Sequence, residues 1–262
     1  MAKIIEDFPE KIDKIATTPG SDNLFKIRDP DGPNLLEDFY LPEPQAQAFH
    51  HTLAQLLFAS QRPRRDLQPY VSFLSKRVKR PDRDDWGKMK RLLQYVKGTL
   101  HVKLTLEIDD KGGIHWLIDS SHQCHDDCKG QTGAAMTMGK GAILSGSLGQ
   151  KSNTKSSTET EIIGVDQYLP TVLWSKYFIE AQGYTIDHTI IHQDNESTIR
   201  LLVNGPLSSS KRTKHIKAKY YLVKDYCDRK EIKISHLPTE KMWIDMHTKP
   251  KQGTPFRRDR AK

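Results

Sequence analysis

The period of the hydrophobic pattern changes once along the chain, at Gly98, and that change constrains the fold more than any other feature. Before it, apolar residues recur at helical spacing. Phe49, Leu53, Leu56 and Leu57 share one face of a helix over about 44–60. Tyr70, Phe73 and Leu74 mark a second over about 66–78, and Trp86, Met89, Leu92, Leu93 and Val96 a third that stops at Gly98. QRPRR and KRPDRDD separate the three, and Pro81 with Asp82 suits a helix start. Residues 1–43, rich in Pro, Gly and Asp, predict irregular chain with a short helix near Ile4 to Phe8.

After Gly98 the period falls to two. HVKLTLEI and IHWLID alternate around DDKGG, which predicts a hairpin, and TGAAMTMGKGAILSGSL predicts another strand–turn–strand unit. A long helix follows through SSTETEIIGVDQYLPTVLWSKYFIEAQG. Ser157 or Thr158 stands near its N-cap, Gly183 at its end, and Pro170 is expected to kink or divide it. Then come a strand (188–193), a short helix (195–203), a Ser/Lys/Arg loop (207–214), a helix (about 215–229), a strand (231–236) and a last helix (about 240–248). Strands that give way to alternating helix and strand make an α/β pattern.

The chain has 262 residues, enough for one large domain or two modest ones. Lys plus Arg number 41 against 33 Asp plus Glu, a formal charge of +8. That surplus favours a polyanionic partner, although charged faces ordinarily just solvate a fold. No apolar run is long enough for a membrane span, and MAKIIEDFPEK lacks the apolar centre of a signal peptide. Cys124, Cys128 and Cys227 read as reduced thiols of an intracellular protein. The spacing of His122, Cys124, His125 and Cys128 fits no tetrahedral zinc pattern. Trp116, Trp174 and Trp243 sit in periodic apolar runs and are expected in the core.

Four acids occupy telling places. Asp119 ends IHWLID, Glu161 lies in the first turns of the long helix, Asp194 ends the strand in IIHQDNESTIR, and Asp245 lies in WIDMHTK. Sites in open α/β sheets form at the carboxyl ends of strands, so two strand-tip carboxylates can be neighbours there. Such a cluster repels itself unless divalent cations neutralise it, and all-oxygen ligation selects Mg²⁺ or Mn²⁺. Taken singly, each acid reads first as a cap or a solvated charge, because acids are mostly exposed. Asp194 either caps the helix that follows or holds a cation. Glu159 and Glu161 are two apart and cannot share a helix face, and the pattern does not choose between them.

SSTETE, HQDNES, SSSKRTKHIKAKYYLVKD and LPTEKMWIDMHTKPKQGTPF, in that order and spacing, resemble the ribonuclease H segment of copia-type retrotransposon Pol polyproteins. SQRPRRDLQPYVSFLSKRVKRPDRDDWGKMKRLLQYVKGT resembles the helical region that follows the polymerase palm in that family, and ATTPGSDNLFKI the segment just before it. The resemblance covers nearly the whole chain. It implies a ribonuclease H-like α/β fold: a mixed five-stranded sheet with helices on both faces, preceded by a small helical region. It implies a helical thumb or connection remnant at 1–98, a ribonuclease H-like domain at 99–250 and a tail at 251–262. It also implies a site of four acids, Asp119, Glu161, Asp194 and Asp245, holding two Mg²⁺ ions with Mn²⁺ as substitute. The resemblance selects Glu161 over Glu159 and makes Asp194 a metal ligand.

The implied reaction is endonucleolytic hydrolysis of the RNA strand of an RNA–DNA hybrid, within a Pol polyprotein. Lys211, Arg212, Lys214 and His215 would contact nucleic acid, since phosphate contacts position a duplex. The implied location is the cytoplasm or nucleus, or a virus-like particle. The chain has no Y-x-D-D polymerase motif and no integrase, so no polymerase activity is expected. It departs from the family after the first acid, where DSSHQCHDDCKG is unusually polar and thiol-rich. The alternative is a catalytically inactive nucleic-acid-binding remnant of a degraded element.

Overall fold

The computed structural model describes residues 1–29, 39–109, 112–205 and 217–262. The chain forms two compact units, one of residues 1–104 with 249–261 and one of residues 105–248.

The first unit is helical. Helix α1 spans Ala2–Glu6, α2 Glu43–Ser60, α3 Gln68–Ser75 and α4 Arg83–Gly98. Asp82 caps α4 in a reciprocal box with Asp85: each carboxylate accepts the other's backbone N–H, and Arg77 binds both side chains. Phe49, Leu53, Leu56, Phe73, Leu74, Met89, Leu92, Leu93 and Val96 are buried as the helical spacing requires, whereas Leu57 is exposed. The C-terminal residues, expected as a tail, also fold here. They form a helix, Gly253–Arg260, whose Phe256 is fully buried with its ring edge against Tyr95.

A buried polar network organises this unit. The Arg64 guanidinium donates twice to Asp66, at 2.8 and 3.0 Å, and twice to Thr99. The Tyr95 hydroxyl donates to the same Asp66 carboxylate and accepts from Arg260 at 2.9 Å. Two full charges leave water here, which is tolerable because the pair is bidentate and its remaining donors are satisfied.

The second unit is built on a sheet. A pair of short strands, β1 (Glu107–Ile108) and β4 (Gly139–Lys140), stands apart as a two-stranded ribbon. The main sheet holds β2 (Gly113–Ser121), β3 (Lys129–Thr137), β5 (Leu144–Asn153), β6 (His188–Gln193) and β7 (Lys233–His236) in the order β5-β3-β2-β6-β7. The first three pair antiparallel, while β6 and β7 run parallel to β2. The sheet is therefore mixed and five-stranded. Helix α5 (Ser157–Ala181) carries the chain across to β6, and α6 (Glu196–Asn204) and α7 (Lys217–Asp228) carry it on to β7.

Alternation along the strands sorts two cores. Ile114, Trp116, Ile118, Ala134, Met136 and Ile191 face α5, α6 and α7, and meet Ile162, Val165, Leu169, Leu202 and Val223. Leu117 and Ala135 face the other way, onto Ile244 of the 3₁₀ turn Trp243–His247 and onto Met242, which joins it to the 3₁₀ turn Thr239–Lys241. Helical elements thus lie on both faces.

Several local expectations are corrected. The hairpin of 101–108 with 113–118 does not form. Both edges of β2 are taken, by β3 and β6, so β1 pairs with β4 instead. The helix expected over 240–248 is two 3₁₀ turns, because Met242 between them (φ −80°, ψ 69°) leaves the helical region. Helix α5 is capped by Ser156 and runs unbroken through Pro170, which is exposed. Trp174 is 54 % exposed and stacks on Phe178, one turn along, rather than joining the core.

Asp66→Ala would leave Arg64 buried without a counter-charge. The variant is expected to lose about 3–5 kcal/mol of stability, read as a lower urea midpoint at unchanged slope.

Candidate metal centre

Strand register places the first two acids. The parallel pairing of β2 with β6 ends at Leu117 opposite His192. Asp119 and Asp194 are each two residues further on, so both stand at the carboxyl ends of adjacent parallel strands. Glu161 is the fifth residue of α5, in the part of the helix that packs over the end of β2. Ligand oxygens of Asp119, Glu161 and Asp194 all lie within 4.8 Å of one another. Among the described residues no other set of three His, Cys, Asp or Glu side chains gathers in this way.

Asp119 and Glu161 are 2 % and 5 % exposed, and Asp194 is half-buried. Burial, then the charge of Asp119 and that of Asp194, drive the pKa of Glu161 well above the usual carboxylate range, against the opposing hydrogen bond from Gln193. Three close carboxylates, one of them forced toward its neutral form, make a donor set of hard oxygens with excess negative charge. That set suits a divalent cation.

Residues beside these acids serve the two helix starts. The N-cap of α6 is Asn195, whose side chain accepts from Thr198 N at 3.1 Å. Asp194 is therefore not needed as a cap. Glu159 accepts from the backbone N–H of Lys155 at 2.8 Å at the start of α5, which leaves Glu161 as the acid turned into the cluster. Asp245 is buried in the Trp243–His247 turn and is not one of the three gathered carboxylates. Its turn reaches the cluster through Thr248, whose hydroxyl donates to Asp119 Oδ2.

Glycine makes that approach possible. Gly133 pairs with Asp119 across β2 and β3. A Cβ there would come within 2.8 Å of His247 Cβ and 2.9 Å of Thr248 Cγ2, closer than side chains tolerate. The backbone O of His247 also accepts from Ser147 of β5, which is itself held by Gln131 Nε2. Three donors to the acids carry no signal in the sequence: Thr248 to Asp119, Gln193 Nε2 to Glu161 at 3.3 Å, and Thr239 to Asp194 at 2.9 Å.

The remaining candidates fall differently. Lys211, Arg212, Lys214 and His215 lie outside the described residues. His122 Nδ1 bonds Thr154 and Thr160, and Cys124, Cys128 and Cys227 are in no disulfide among the described residues. None of the described helices is long and apolar enough to cross a membrane.

Homologues of the chain are retrovirus-related Pol polyproteins of plant transposons. It is 26 % identical over 206 residues to that of transposon TNT 1-94 of Nicotiana tabacum, matching 77 % of this chain and 15 % of the relative. It is 27 % identical over 219 residues to that of transposon RE2 of Arabidopsis thaliana, matching 82 % and 15 %. The chain thus spans about 15 % of the length of these curated relatives. No family model matches it. Among solved structures, a ribonuclease H1 isolated from compost by a metagenomic approach superimposes with a TM-score of 0.42 at 15 % identity, over 52 % of this chain and 93 % of that one. A foamy viral protease–reverse transcriptase in complex with RNA/DNA hybrid gives 0.39 at 15 % identity, over 79 % and 26 %.

The raised pKa of Glu161 has a sign that can be tested. A folded-state pKa above the unfolded value means that the folded protein binds the proton more tightly. Stability is then fullest below the unfolded carboxylate pKa and falls as pH rises toward the folded one. Glu161→Gln keeps the size and an acceptor without the charge. In EDTA its melting temperature is expected to match the parent at pH 5 and to exceed it by several degrees at pH 8.

Proposed function

We propose that this chain hydrolyses the RNA strand of RNA–DNA hybrids, as the ribonuclease H part of a retrotransposon Pol protein. The observation that carries the reading is the convergence of Asp119, Glu161 and Asp194 at the ends of two adjacent parallel strands. Two of these acids come from SSTETE and HQDNES, the motifs on which the sequence resemblance rests.

The cations that fit are two Mg²⁺ ions, with Mn²⁺ as substitute; when bound, they would activate a water and stabilise the leaving oxygen of a phosphodiester. The chain's own part is to present oxygens. By the division of labour that the resemblance implies, Asp119 and Asp194 would serve both ions, with Glu161 and Asp245 completing one site each. Asp245 enters on the resemblance, and on its position three residues before the threonine that grips Asp119. The buried setting of Asp119 and Glu161 excludes bulk water and strengthens every charge interaction in the centre.

Substrate choice would come from the near-A-form shape of a hybrid and from its 2′-hydroxyls. Lys211, Arg212, Lys214 and His215 would hold phosphates beside the centre. Residues 1–98 would belong to the thumb or connection region of a reverse transcriptase. The setting would be the cytoplasm, the nucleus or a virus-like particle.

The test is cleavage of a labelled RNA–DNA hybrid in Mg²⁺ and in Mn²⁺. Asp194→Asn keeps the size and an acceptor for the Thr239 hydroxyl, and the cap on α6 belongs to Asn195. The variant is expected to melt as the parent does and to lose about a thousandfold or more in rate. Equal cleavage by parent and variant removes Asp194 from the centre. A parent that binds hybrid yet cleaves it in neither metal is the inactive binding module instead.

A further inference from the structure

Each acid of the cluster receives a hydrogen bond from a neutral side chain on a different segment. Thr248 Oγ1 donates to Asp119 Oδ2, Gln193 Nε2 to Glu161 Oε2, and Thr239 Oγ1 to Asp194 Oδ2. We infer that Thr248 and Thr239 are positioning residues for the metal centre, each hydroxyl fixing which oxygen of its aspartate is turned toward the ions. The inference rests on the proposed function and adds to it the segment 239–248 as the part that presets the ligands.

The chemistry of the donors supports this role. A lysine or arginine at these places would orient an aspartate equally well but would cancel the charge that attracts a divalent cation. A hydroxyl orients it and leaves that charge in place. Holding one oxygen of a carboxylate reserves the other for metal and removes the freedom to rotate. The benefit is greatest at Asp119, which is buried and has no bulk water to take over the hydrogen bond.

Packing fixes Thr248 itself. Its hydroxyl carries one proton. The nearest acceptors are the Asp119 carboxylate and, at 3.2 Å, the Asp245 carbonyl. The charged acceptor is the closer and the stronger. The methyl group lies over Gly133, in space that any side chain on β3 would fill. A β-branched residue packed on both sides has little rotamer freedom, so the hydroxyl is aimed before any ion arrives. The turn that carries it is tied down again by Ser147 through the His247 carbonyl. Thr239 does the same at Asp194 from the preceding 3₁₀ turn, in a more exposed setting.

The experiment compares the parent, Thr248→Val, Thr248→Ser and Thr239→Val. Mn²⁺ affinity is read from the electron paramagnetic resonance of the free ion, melting temperature is measured in EDTA, and hybrid cleavage is measured alongside. Thr248→Val keeps the shape and loses the donor. Its Mn²⁺ affinity is expected to fall about tenfold or more, while Thr248→Ser stays within about threefold of the parent. Thr239→Val, on the exposed side, is expected to lose about threefold to tenfold with an unchanged melting temperature. Parent-like Mn²⁺ affinity in both valine variants overturns the inference, as does a drop in melting temperature with affinity unchanged. If Thr248→Val fails to melt cooperatively, Thr239→Val decides by the same criterion. A parent that binds no Mn²⁺ and cleaves nothing overturns the proposed function and this inference with it. A parent that binds and cleaves, beside valine variants that match it, overturns the inference alone.

Discussion

Three carboxylates with oxygens inside 4.8 Å of one another repel, and two of them are almost wholly removed from water. Much of the second unit can be understood as what holds that arrangement. The parallel register of β2 and β6 sets two acids side by side. Helix α5 crosses over the sheet and delivers the third, with Ile162, Val165 and Leu169 supplying the apolar contacts that fix its height above β2. The penalty of the arrangement shows at Glu161, whose carboxyl pKa is pushed up first by burial and then by its neighbours. Apolar burial elsewhere in the unit must outweigh that local cost, and the Trp116 and Ile118 face of the sheet is where it does so.

The sheet's second face carries a different load. It is covered by short 3₁₀ turns instead of a long helix, and its apolar cluster is small: Leu117, Ala135, Ala142, Met242 and Ile244. Little hydrophobic area is available to hold residues 239–248 in place. Polar anchors make up the difference, through the Gln131–Ser147–His247 chain and the Thr248 hydroxyl. The absence of a side chain at Gly133 lets the backbone of the turn come close enough for those bonds to form.

Most of the architecture was legible because periodicity is a backbone property. The switch from helical to alternating spacing located the helical unit and the strands, and strand ends located the acids. What escaped was set by tertiary partners. HVKLTLEI alternates like a core strand, yet β2 had no free edge left to offer it. Residues 251–262 are polar and basic and look like a tail, but Phe256 finds Tyr95, and Arg260 joins the Arg64–Asp66 network. Trp174 fits the apolar period of α5 and still faces solvent, because the stripe it shares with Phe178 lies on the side away from the sheet. Thr239, Thr248 and Gln193 were invisible for a simpler reason. Threonine and glutamine are ordinary polar residues, and nothing in their spacing says which acid they will meet.

The acids themselves were ambiguous in the sequence because capping and ligation use the same side chains. In the structure the capping falls to neighbours of the clustered acids. Asn195 caps α6 and Asp194, one residue earlier, is left to face Glu161 and Asp119. At α5, Ser156 accepts from Glu159 N, Glu159 accepts from Lys155 N, and Glu161, two residues on, points into the cluster. In both places a second polar residue satisfies the helix terminus. The orphan N–H groups at a helix start draw any nearby carboxylate oxygen. An acid left to serve them would be aimed along the helix axis, away from the other two. The polar neighbours in DNES and STETE thus satisfy the helix starts, which leaves Asp194 and Glu161 to the carboxylate cluster.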